Sequence, residues 1–171
     1  MLFMGEEWGA STPWQFFTSH PEPELARATA EGRINEFAKM GWDPAQVPDP
    51  QDPDTFDRSH LDWHEHRAPA HAELLDLYRR LIALRRGNPD LTDPDQTRTA
   101  VSLLTPEAAP AARAFRIDRG QTSVLVNLAE SDVAFDVHES ADVLLETSRS
   151  RRHQGGIIVA SESAVIVGRR T

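Results

Sequence analysis

The sequence predicts an α+β chain in two parts, a first part that ends near residue 90 and an antiparallel all-β sandwich over residues 95–171. Three observations predict this organisation. A short apolar run opens the chain, as in a strand that is buried on both faces of a parallel sheet. One long helical pattern follows at residues 70–86. From residue 97 onward, apolar residues recur with a period of two between turn signals, which is typical of antiparallel strands.

The opening strand is predicted at residues 1–4, where four large apolar residues stand in a row. Gly5 and Gly9 follow closely and disfavour a helix. The predicted strand therefore ends in a polar, aromatic loop, and loops after parallel strands often carry binding and catalysis. Because a parallel strand needs a neighbour on each side, we expect this chain to be the C-terminal part of a longer protein.

A long connection is predicted between the opening strand and the next strong helix. Residues 12–20 form an aromatic and polar loop, residues 22–40 have helical spacing, and Gly41 is a plausible end to that helix. Residues 42–58 are rich in Asp-Pro pairs, which predict an irregular loop because a residue before proline avoids helical backbone angles. Residues 5–67 are thus one long loop with one or two short helices, and their aromatic content argues against disorder.

The clearest helix is predicted at residues 70–86. Leucines at positions 74, 77, 81 and 84 share one face with Tyr78, and Leu75 and Ile82 widen that face. Pro69 suits the first turn, and Gly87 before Asn88 ends the helix. A face this wide indicates either contact with a sheet on one side and another domain on the other, or simply a well-buried helix.

The last part of the chain predicts seven short strands and no catalytic signal. The turns include Arg119-Gly120 and Gly155-Gly156. Strands at this spacing indicate a sandwich or barrel. The predicted strands are Thr99–Leu104, Arg113–Ile117, Ser123–Asn127, Val133–Val137, Val143–Leu145, Ile157–Ala160 and Ala164–Val167.

Charge and aromatic residues are distributed unevenly along the chain. Residues 1–66 hold 13 acidic and four basic residues, whereas residues 67–171 hold 14 of each. Residues 1–66 also hold nine of the 12 aromatic residues. An acidic first part repels nucleic acid and anionic membranes, so we expect neither as a partner. The chain has no cysteine, no signal peptide pattern and no membrane-spanning run, so a cytoplasmic location is expected.

The candidate binding residues lie in the first loop. Glu6 and Glu7 are adjacent on an extended segment, so their side chains point in opposite directions and are no ready acid/base pair. Acids interleaved with Trp8, Trp14 and Phe17 suit a carbohydrate, because aromatic rings cover the apolar faces of sugars and carboxylates bind hydroxyl groups. The alternative is that the acids are structural and that the rings pack the loop onto the scaffold.

A metal centre is not predicted. His60, His64 and His66 are close in sequence, but their spacing matches no strong ligand signature and basic residues flank the cluster. We therefore expect neither a metal nor another cofactor.

The same residues carry a resemblance to a known family. Residues 1–11 resemble the eighth barrel strand and the following loop of the alpha-amylase family of glycoside hydrolases, through Phe3-Met4-Gly5-Glu6-Glu7. The continuation is similar to the branch of that family that releases trehalose. Trp14 is a departure, because that branch has phenylalanine there. The matching segments are residues 10–18, Gly32-Arg33, Glu36-Phe37, residues 47–51, Thr55-Phe56, Ser59 and residues 61–63.

The resemblance implies a fold and a reaction. Residues 1–90 would be the end of a (β/α)8 barrel, comprising its last strand, a long loop and its last helix, and residues 95–171 would be a C-terminal β-sandwich domain. The parent enzyme would hydrolyse the α-1,4 bond next to the terminal trehalose of maltooligosyl trehalose, with retention of configuration. Retention needs an Asp nucleophile and a Glu acid/base about 5 Å apart.

No position in this chain matches the catalytic motifs, which lie on earlier barrel strands in that family. The chain is therefore expected to be inactive alone and to supply part of the substrate groove through Glu6, Glu7, Trp8, Trp14 and Phe17. Two alternatives remain open at this point. One is a non-catalytic carbohydrate-binding module, and the other is the tail of another amylase-family enzyme, such as a glycogen branching enzyme.

Overall fold

A computed structural model describes residues 1–104 and 113–169 of the chain. The chain divides into two compact units, Met1–Leu75 and Asp76–Thr171. Residues 105–112 and 170–171, which fall inside the predicted sandwich, lie outside the described residues.

Helices and turns build the first unit. The predicted helices at residues 22–40 and 70–86 are confirmed as α1 and α3, with bounds that differ by about one residue. The helices are α1 (Pro23–Lys39), α2 (Pro53–Arg58) and α3 (Pro69–Gly87), of which the last continues into the second unit, and single 3₁₀ turns span Glu6–Trp8, Pro44–Gln46 and Glu65–Arg67.

The Asp-Pro pairs begin short helices, which the sequence analysis did not predict. Asp43 and Asp52 have extended backbone angles, and their carboxylates accept hydrogen bonds from Ala45 N and Asp54 N. The proline after each acid occupies the first helical position, where no backbone donor is needed. Asn88 begins helix α4 (Pro89–Thr92) in the same way. A residue before proline avoids helical backbone angles, and an N-cap residue also has extended angles. An Asp-Pro pair can therefore mark the start of a helix as well as a loop.

The strand predicted at residues 1–4 is not formed. All four residues are exposed and have no strand partner in the described structure. A strand needs a neighbour to satisfy its backbone donors and acceptors, so an apolar run alone cannot make one. The chain then turns at Gly5, whose φ is 79° and where an added Cβ would collide with the side chains of Ala10 and Leu61.

Eight antiparallel strands lie in the part of the second unit that the structure describes. They form a five-stranded sheet in the order β1-β2-β3-β8-β5 and a three-stranded sheet in the order β4-β7-β6. The predicted antiparallel sheets are therefore confirmed. The strands are β1 (Thr99–Leu104), β2 (Ala114–Arg119), β3 (Thr122–Asn127), β4 (Val133–Asp136), β5 (Asp142–Glu146), β6 (Arg151–His153), β7 (Gly156–Val159) and β8 (Ser163–Gly168).

One continuous apolar core lies within the strands of the second unit. Phe135 on β4, Leu125 on β3 and Ile157 on β7 are fully or almost fully buried, together with valines 159, 165 and 167. Alternate residues of β3 and β8 point into this core, as the period of two predicts. Asn127, also fully buried, joins the two sheets, because its Nδ2 donates to the carbonyl oxygens of Val159 and Ala160 at 3.1 and 2.9 Å.

A polar clasp ties helix α4 to the hairpin between β2 and β3. The amide of buried Asn88 donates to Thr122 Oγ1 at 2.9 Å, and the Asp90 carboxylate accepts from Gln121 N at 2.8 Å. The hairpin turns at Gly120, where φ is 58° and any side chain would collide with the Asp90 carboxylate. The clasp therefore requires glycine at this turn.

Helices α1 and α3 contribute no fully buried side chain to an apolar core. The wide apolar face of α3 is therefore only partly covered, and a well-buried helix is not what the described structure shows. No helix among the described residues is both long and apolar enough to cross a membrane.

Candidate functional site

The aromatic loop of the first unit is held against helix α2 by a set of polar contacts. Thr18 N donates to Pro50 O at 2.8 Å, and Gln15 N donates to Ser59 Oγ at 3.1 Å. Ser59 and Thr55 are buried, and Ser59 Oγ donates to Thr55 O at 2.9 Å. These contacts fix the backbone of residues 13–20, so its aromatic side chains have defined positions.

One face of this loop lines a cavity of about 340 Å³, here called the aromatic cavity. Its polar lining groups include the amides of Gln15 and Gln46 and the guanidinium of Arg33. Aromatic rings from the loop and from the end of α1 dominate its walls, namely Trp14, Phe16, Phe37 and Trp42.

Arg33 lies between two of these rings. Its guanidinium carbon is 4.4 Å from the ring centre of Phe37 and 4.9 Å from that of Phe16. Its Nη1 also donates to Glu36 Oε2 at 3.0 Å. The positive charge is therefore partly neutralised by a carboxylate while the planar group packs against aromatic faces.

The other face of the loop lines a second cavity of about 570 Å³. Phe17 lies in its wall with its ring centre 5.0 Å from that of Phe56. Gln51 lines the same cavity and donates through its amide to Thr18 Oγ1. Rings and polar groups thus occur together in both cavities.

The turn at Glu6–Trp8 forms a third, separate cluster. Glu6 Oε2 accepts from Phe3 N at 2.9 Å, and Glu7 is half-buried. Trp8 is only 3% exposed, and its ring centre lies 5.3 Å from that of Trp63. The Trp8 ring is therefore a packing element within the described structure.

Glu65 holds this cluster together. Both of its carboxylate oxygens accept from Ser11 N, at 3.1 and 3.0 Å, and its Oε1 lies 3.5 Å from His71 Nε2. Hydrogen bonds from Ser11 are the main cause that holds the pKa of Glu65 below its ordinary value, and the charge of His71 adds to them. The indole N–H of Trp8 contributes least, because it does not reach full hydrogen-bond geometry with any acceptor among the described residues.

His71 joins the same cluster to helix α3. Its Nδ1 lies 2.7 Å from Trp8 O. Since a carbonyl oxygen can only accept, this nitrogen carries the proton, and Nε2 faces the Glu65 carboxylate. These contacts fix the backbone at Trp8 and do not form an arrangement for chemistry.

The five residues predicted as a binding site therefore occupy three places. Glu6, Glu7 and Trp8 share the turn, Trp14 lines the aromatic cavity and Phe17 lines the second cavity. The sequence analysis did not select Arg33, Phe37 or Trp42 as site residues. Arg33 and Phe37 are four residues apart, which places them on one face of α1. This spacing is the sequence pattern that could have indicated them as neighbours in a site.

The described residues, 1–104 and 113–169, contain no group of three or more histidine, cysteine or acidic side chains that could hold a metal ion. The aromatic cavity presents rings, amides and a partly neutralised guanidinium, and the second cavity presents rings, the amide of Gln51 and the carboxylate of Asp52. Rings beside hydrogen-bonding groups can bind a polyhydroxylated molecule.

The curated proteins to which this chain is similar are all malto-oligosyltrehalose trehalohydrolases by name. The chain is 56% identical over 156 residues to a malto-oligosyltrehalose trehalohydrolase from Brevibacterium helvolum, which is 91% of this chain and 26% of that protein. It is 52% identical over 167 residues to one from Arthrobacter ramosus, which is 98% of this chain and 27% of that protein. The chain thus spans about a quarter of the length of these relatives. No family model matches the chain.

Solved structures of larger proteins match nearly the whole chain. A putative alpha amylase from Salmonella typhimurium matches 98% of this chain and 27% of its own, with a TM-score of 0.72 and 29% identity. The trehalulose synthase MutB from Pseudomonas mesoacidophila matches with a TM-score of 0.51 and 15% identity, which supports the fold alone. A tail of a branching enzyme and a separate binding module are not favoured by these matches. The chain is therefore similar to malto-oligosyltrehalose trehalohydrolases over nearly all of its own length and about a quarter of theirs, which is consistent with a C-terminal portion of such a protein.

Proposed function

We propose that this chain is the C-terminal portion of an enzyme that hydrolyses the α-1,4-glucosidic bond next to the terminal trehalose of maltooligosyl trehalose, and so releases trehalose. The observation that carries the proposal is the 56% identity over 91% of the chain to a malto-oligosyltrehalose trehalohydrolase. The substrate is then a malto-oligosaccharide that ends in trehalose. The reaction needs two carboxylates and water, and no cofactor takes part.

In this proposal residues 1–90 complete a (β/α)8 barrel and residues 95–171 form the β-sandwich domain that follows it. Two features support the assignment for the first part. Met1–Met4 is an exposed apolar run that ends at a left-handed glycine, as expected for a barrel strand that leads into a loop. Helix α3 has an apolar face that the described residues cover only partly.

The two catalytic carboxylates come from the other part of the enzyme, and this chain supplies one wall of the substrate groove. Glu6 and Glu7 lie where a barrel strand would meet the active site, and Trp14 and Phe17 offer exposed rings to sugar faces. Trp8 serves the wall indirectly, because it holds the turn in place through Trp63. The chain alone then releases no trehalose.

A chimaeric enzyme tests this proposal. The matching C-terminal quarter of the Brevibacterium helvolum enzyme is replaced by this chain, and trehalose release from maltooligosyl trehalose is measured. We expect the chimaera to be active and the isolated chain to be inactive. In the chimaera, Trp14→Ala should lower kcat/KM by an amount equivalent to about 1–2 kcal/mol, because a large exposed ring is removed from the groove wall.

Met40→Ala is the matched control, since Met40 is also a large exposed apolar residue but lines neither cavity. This variant should keep the kcat/KM of the chimaera. A folded chimaera that releases no trehalose would contradict the proposal, as would trehalose release by the purified chain alone.

A further inference from the structure

The aromatic cavity has the size and the accessible rings of a binding site. Its volume of about 340 Å³ lies within the range of about 300–1,000 Å³ that small-molecule pockets occupy. Trp42 is 57% exposed and Trp14 is 48% exposed. Two indole rings left in water around one concave surface indicate a ligand whose apolar faces cover them.

The walls of the cavity are held in place before any ligand binds. Trp42 N donates to Phe37 O at 3.1 Å, and the two rings pack edge to face with centres 5.2 Å apart. The opposite wall is fixed through Gln15 N and Ser59 Oγ. A preformed site loses less conformational entropy on binding than a flexible one, so these walls favour recognition of one ligand shape.

The charges around the cavity select a neutral ligand. Among the described residues that line the cavity, Arg33 is the only basic one, and Glu36 neutralises part of its charge at 3.0 Å. Residues 1–66 as a whole carry nine more acidic than basic residues. An anionic ligand would gain little from Arg33 and would be repelled by the surrounding field. Gln15 Oε1 accepts from Arg58 Nε at 3.3 Å, so the NH₂ group of Gln15 and the amide of Gln46 are the groups that can bind hydroxyls without requiring charge.

We propose that the aromatic cavity is a saccharide-binding subsite for a short, neutral glucosyl chain of two or three sugar units. The rings of Trp14 and Trp42 cover the sugar faces, and Arg33, Gln15 and Gln46 bind the hydroxyl groups. The identity of the sugar rests on the proposed function, whereas the existence of the subsite rests on the cavity itself. The subsite lies outside the turn at Glu6–Trp8.

The test uses the full 171-residue chain labelled with ¹⁵N and follows its four indole N–H signals by nuclear magnetic resonance. Single Trp→Phe substitutions assign the signals. Trehalose, maltotriose and glucose 6-phosphate are the probes. We expect trehalose or maltotriose to shift the signals of Trp14 and Trp42, and glucose 6-phosphate at equal concentration to leave them unchanged.

Trp42→Ala and Met40→Ala are a matched pair of variants. Both side chains are large, apolar and more than half exposed, but only Trp42 lines the aromatic cavity. Trp42→Ala should weaken maltotriose binding by about tenfold or more, and Met40→Ala should change it by less than about twofold. Glu36→Gln is a second variant on the helix surface, and it should allow glucose 6-phosphate to bind because it leaves Arg33 unneutralised.

Three results would overturn the proposal: no shift of Trp14 or Trp42 with either neutral sugar in a well-dispersed spectrum, shifts confined to Trp8 and Trp63, or equal weakening by the two alanine variants. Failure of the proposed function gives a different result. An inactive chimaera, together with a Trp42 signal that responds to maltotriose, would contradict the proposed hydrolase function and support the subsite. An active chimaera, together with Trp14 and Trp42 signals that do not respond to either neutral sugar, would support the hydrolase function and contradict the subsite.

Discussion

Glu65 shows how a single carboxylate organises a loop. Its side chain is 12% exposed, and it receives the backbone N–H of Ser11 on both oxygens while facing His71. The partner of the carboxylate is 54 residues away in sequence. Glu65 therefore connects the start of the chain to the turn before helix α3, and removing it should release that connection.

We predict that Glu65→Gln lowers the stability of the chain at neutral pH and that the difference disappears in acid. Hydrogen bonding from Ser11 lowers the pKa of Glu65 in the folded state, so its contribution is fully present above the unfolded pKa of about 4.3. That contribution is lost as the pH falls through the lower folded pKa. Urea unfolding of the variant and the native chain at pH 7 and across the acid range measures the effect.

Glu73→Gln provides the control for this prediction. Glu73 is exposed on helix α3, so its replacement should change stability by less than about 0.5 kcal/mol at either pH. A Glu65→Gln variant whose stability follows that of the native chain at neutral pH would show that the Ser11 contact contributes nothing measurable.

At the level of elements, the two sheets of the second unit are joined through one buried amide. Asn127 closes strand β3, and its Nδ2 reaches Val159 O on β7 and two loop carbonyls, Ser131 O and Ala160 O. Its Oδ1 accepts from Ala129 N at 3.0 Å. The same residue thus sets the geometry between sheets and the shape of two loops.

We predict that Asn127→Ala destabilises the second unit by about 2–3 kcal/mol, because several buried carbonyl groups and one N–H lose their partner. Asn127→Leu, which has a similar volume, should not restore the loss. Thermal unfolding of both variants, followed by far-ultraviolet circular dichroism, provides the measurement. A leucine variant as stable as the native chain would show that packing, and not hydrogen bonding, explains the effect.

The strands with apolar alternation could be predicted from sequence almost to the residue, whereas β6 could not. Thr99–Leu104 has the predicted bounds, and most other strands differ by one or two residues. Strand β6 consists of Arg151, Arg152 and His153, which are all exposed, so no alternating pattern marks it. Its pairing with β7 depends on the turn at Gly155. Edge strands of this kind are specified by their neighbours.

The candidate site was predictable in chemistry but not in arrangement. The mixture of acids, amides and rings in the first loop indicated a sugar ligand. The separation of Trp14 from Phe17 depends on which side of the loop each ring occupies, and contacts such as Gln15 to Ser59 decide that. Such contacts join residues 44 positions apart and leave no local pattern. The strand predicted at residues 1–4 is wrong for the described chain for the same reason, since strand pairing is not a local property.

On the scale of the whole molecule, the two units differ in how well each is packed. Buried aliphatic side chains of the second unit form a single core. In the first unit, Trp8 is the one large apolar side chain that is buried among the described residues, and Met1–Met4 remains exposed. A large buried apolar side chain contributes about 1.5–3 kcal/mol. The second unit therefore contains most of the apolar stabilisation.

We predict that a polypeptide of residues 95–171 is soluble and melts cooperatively, and that one of residues 88–171 melts at a higher temperature. The longer form keeps Asn88 and Asp90, which bind Thr122 and Gln121. Residues 1–90 alone should be dynamic or insoluble. Amide hydrogen exchange on the intact chain provides a further measurement. Protection in residues 1–75 equal to that in the strands would contradict the prediction, because it would require a complete core in the first unit.

The placement of the tryptophans has a practical consequence for studies of folding in this chain. All four lie in Met1–Leu75, whereas the strands lie in the other unit. Intrinsic indole fluorescence therefore reports on the helical unit alone, and the β signal in circular dichroism reports on the sheet unit. A denaturant titration read by both methods on one sample separates the two units without any added label. Coincident midpoints would mean that they unfold as one cooperative system.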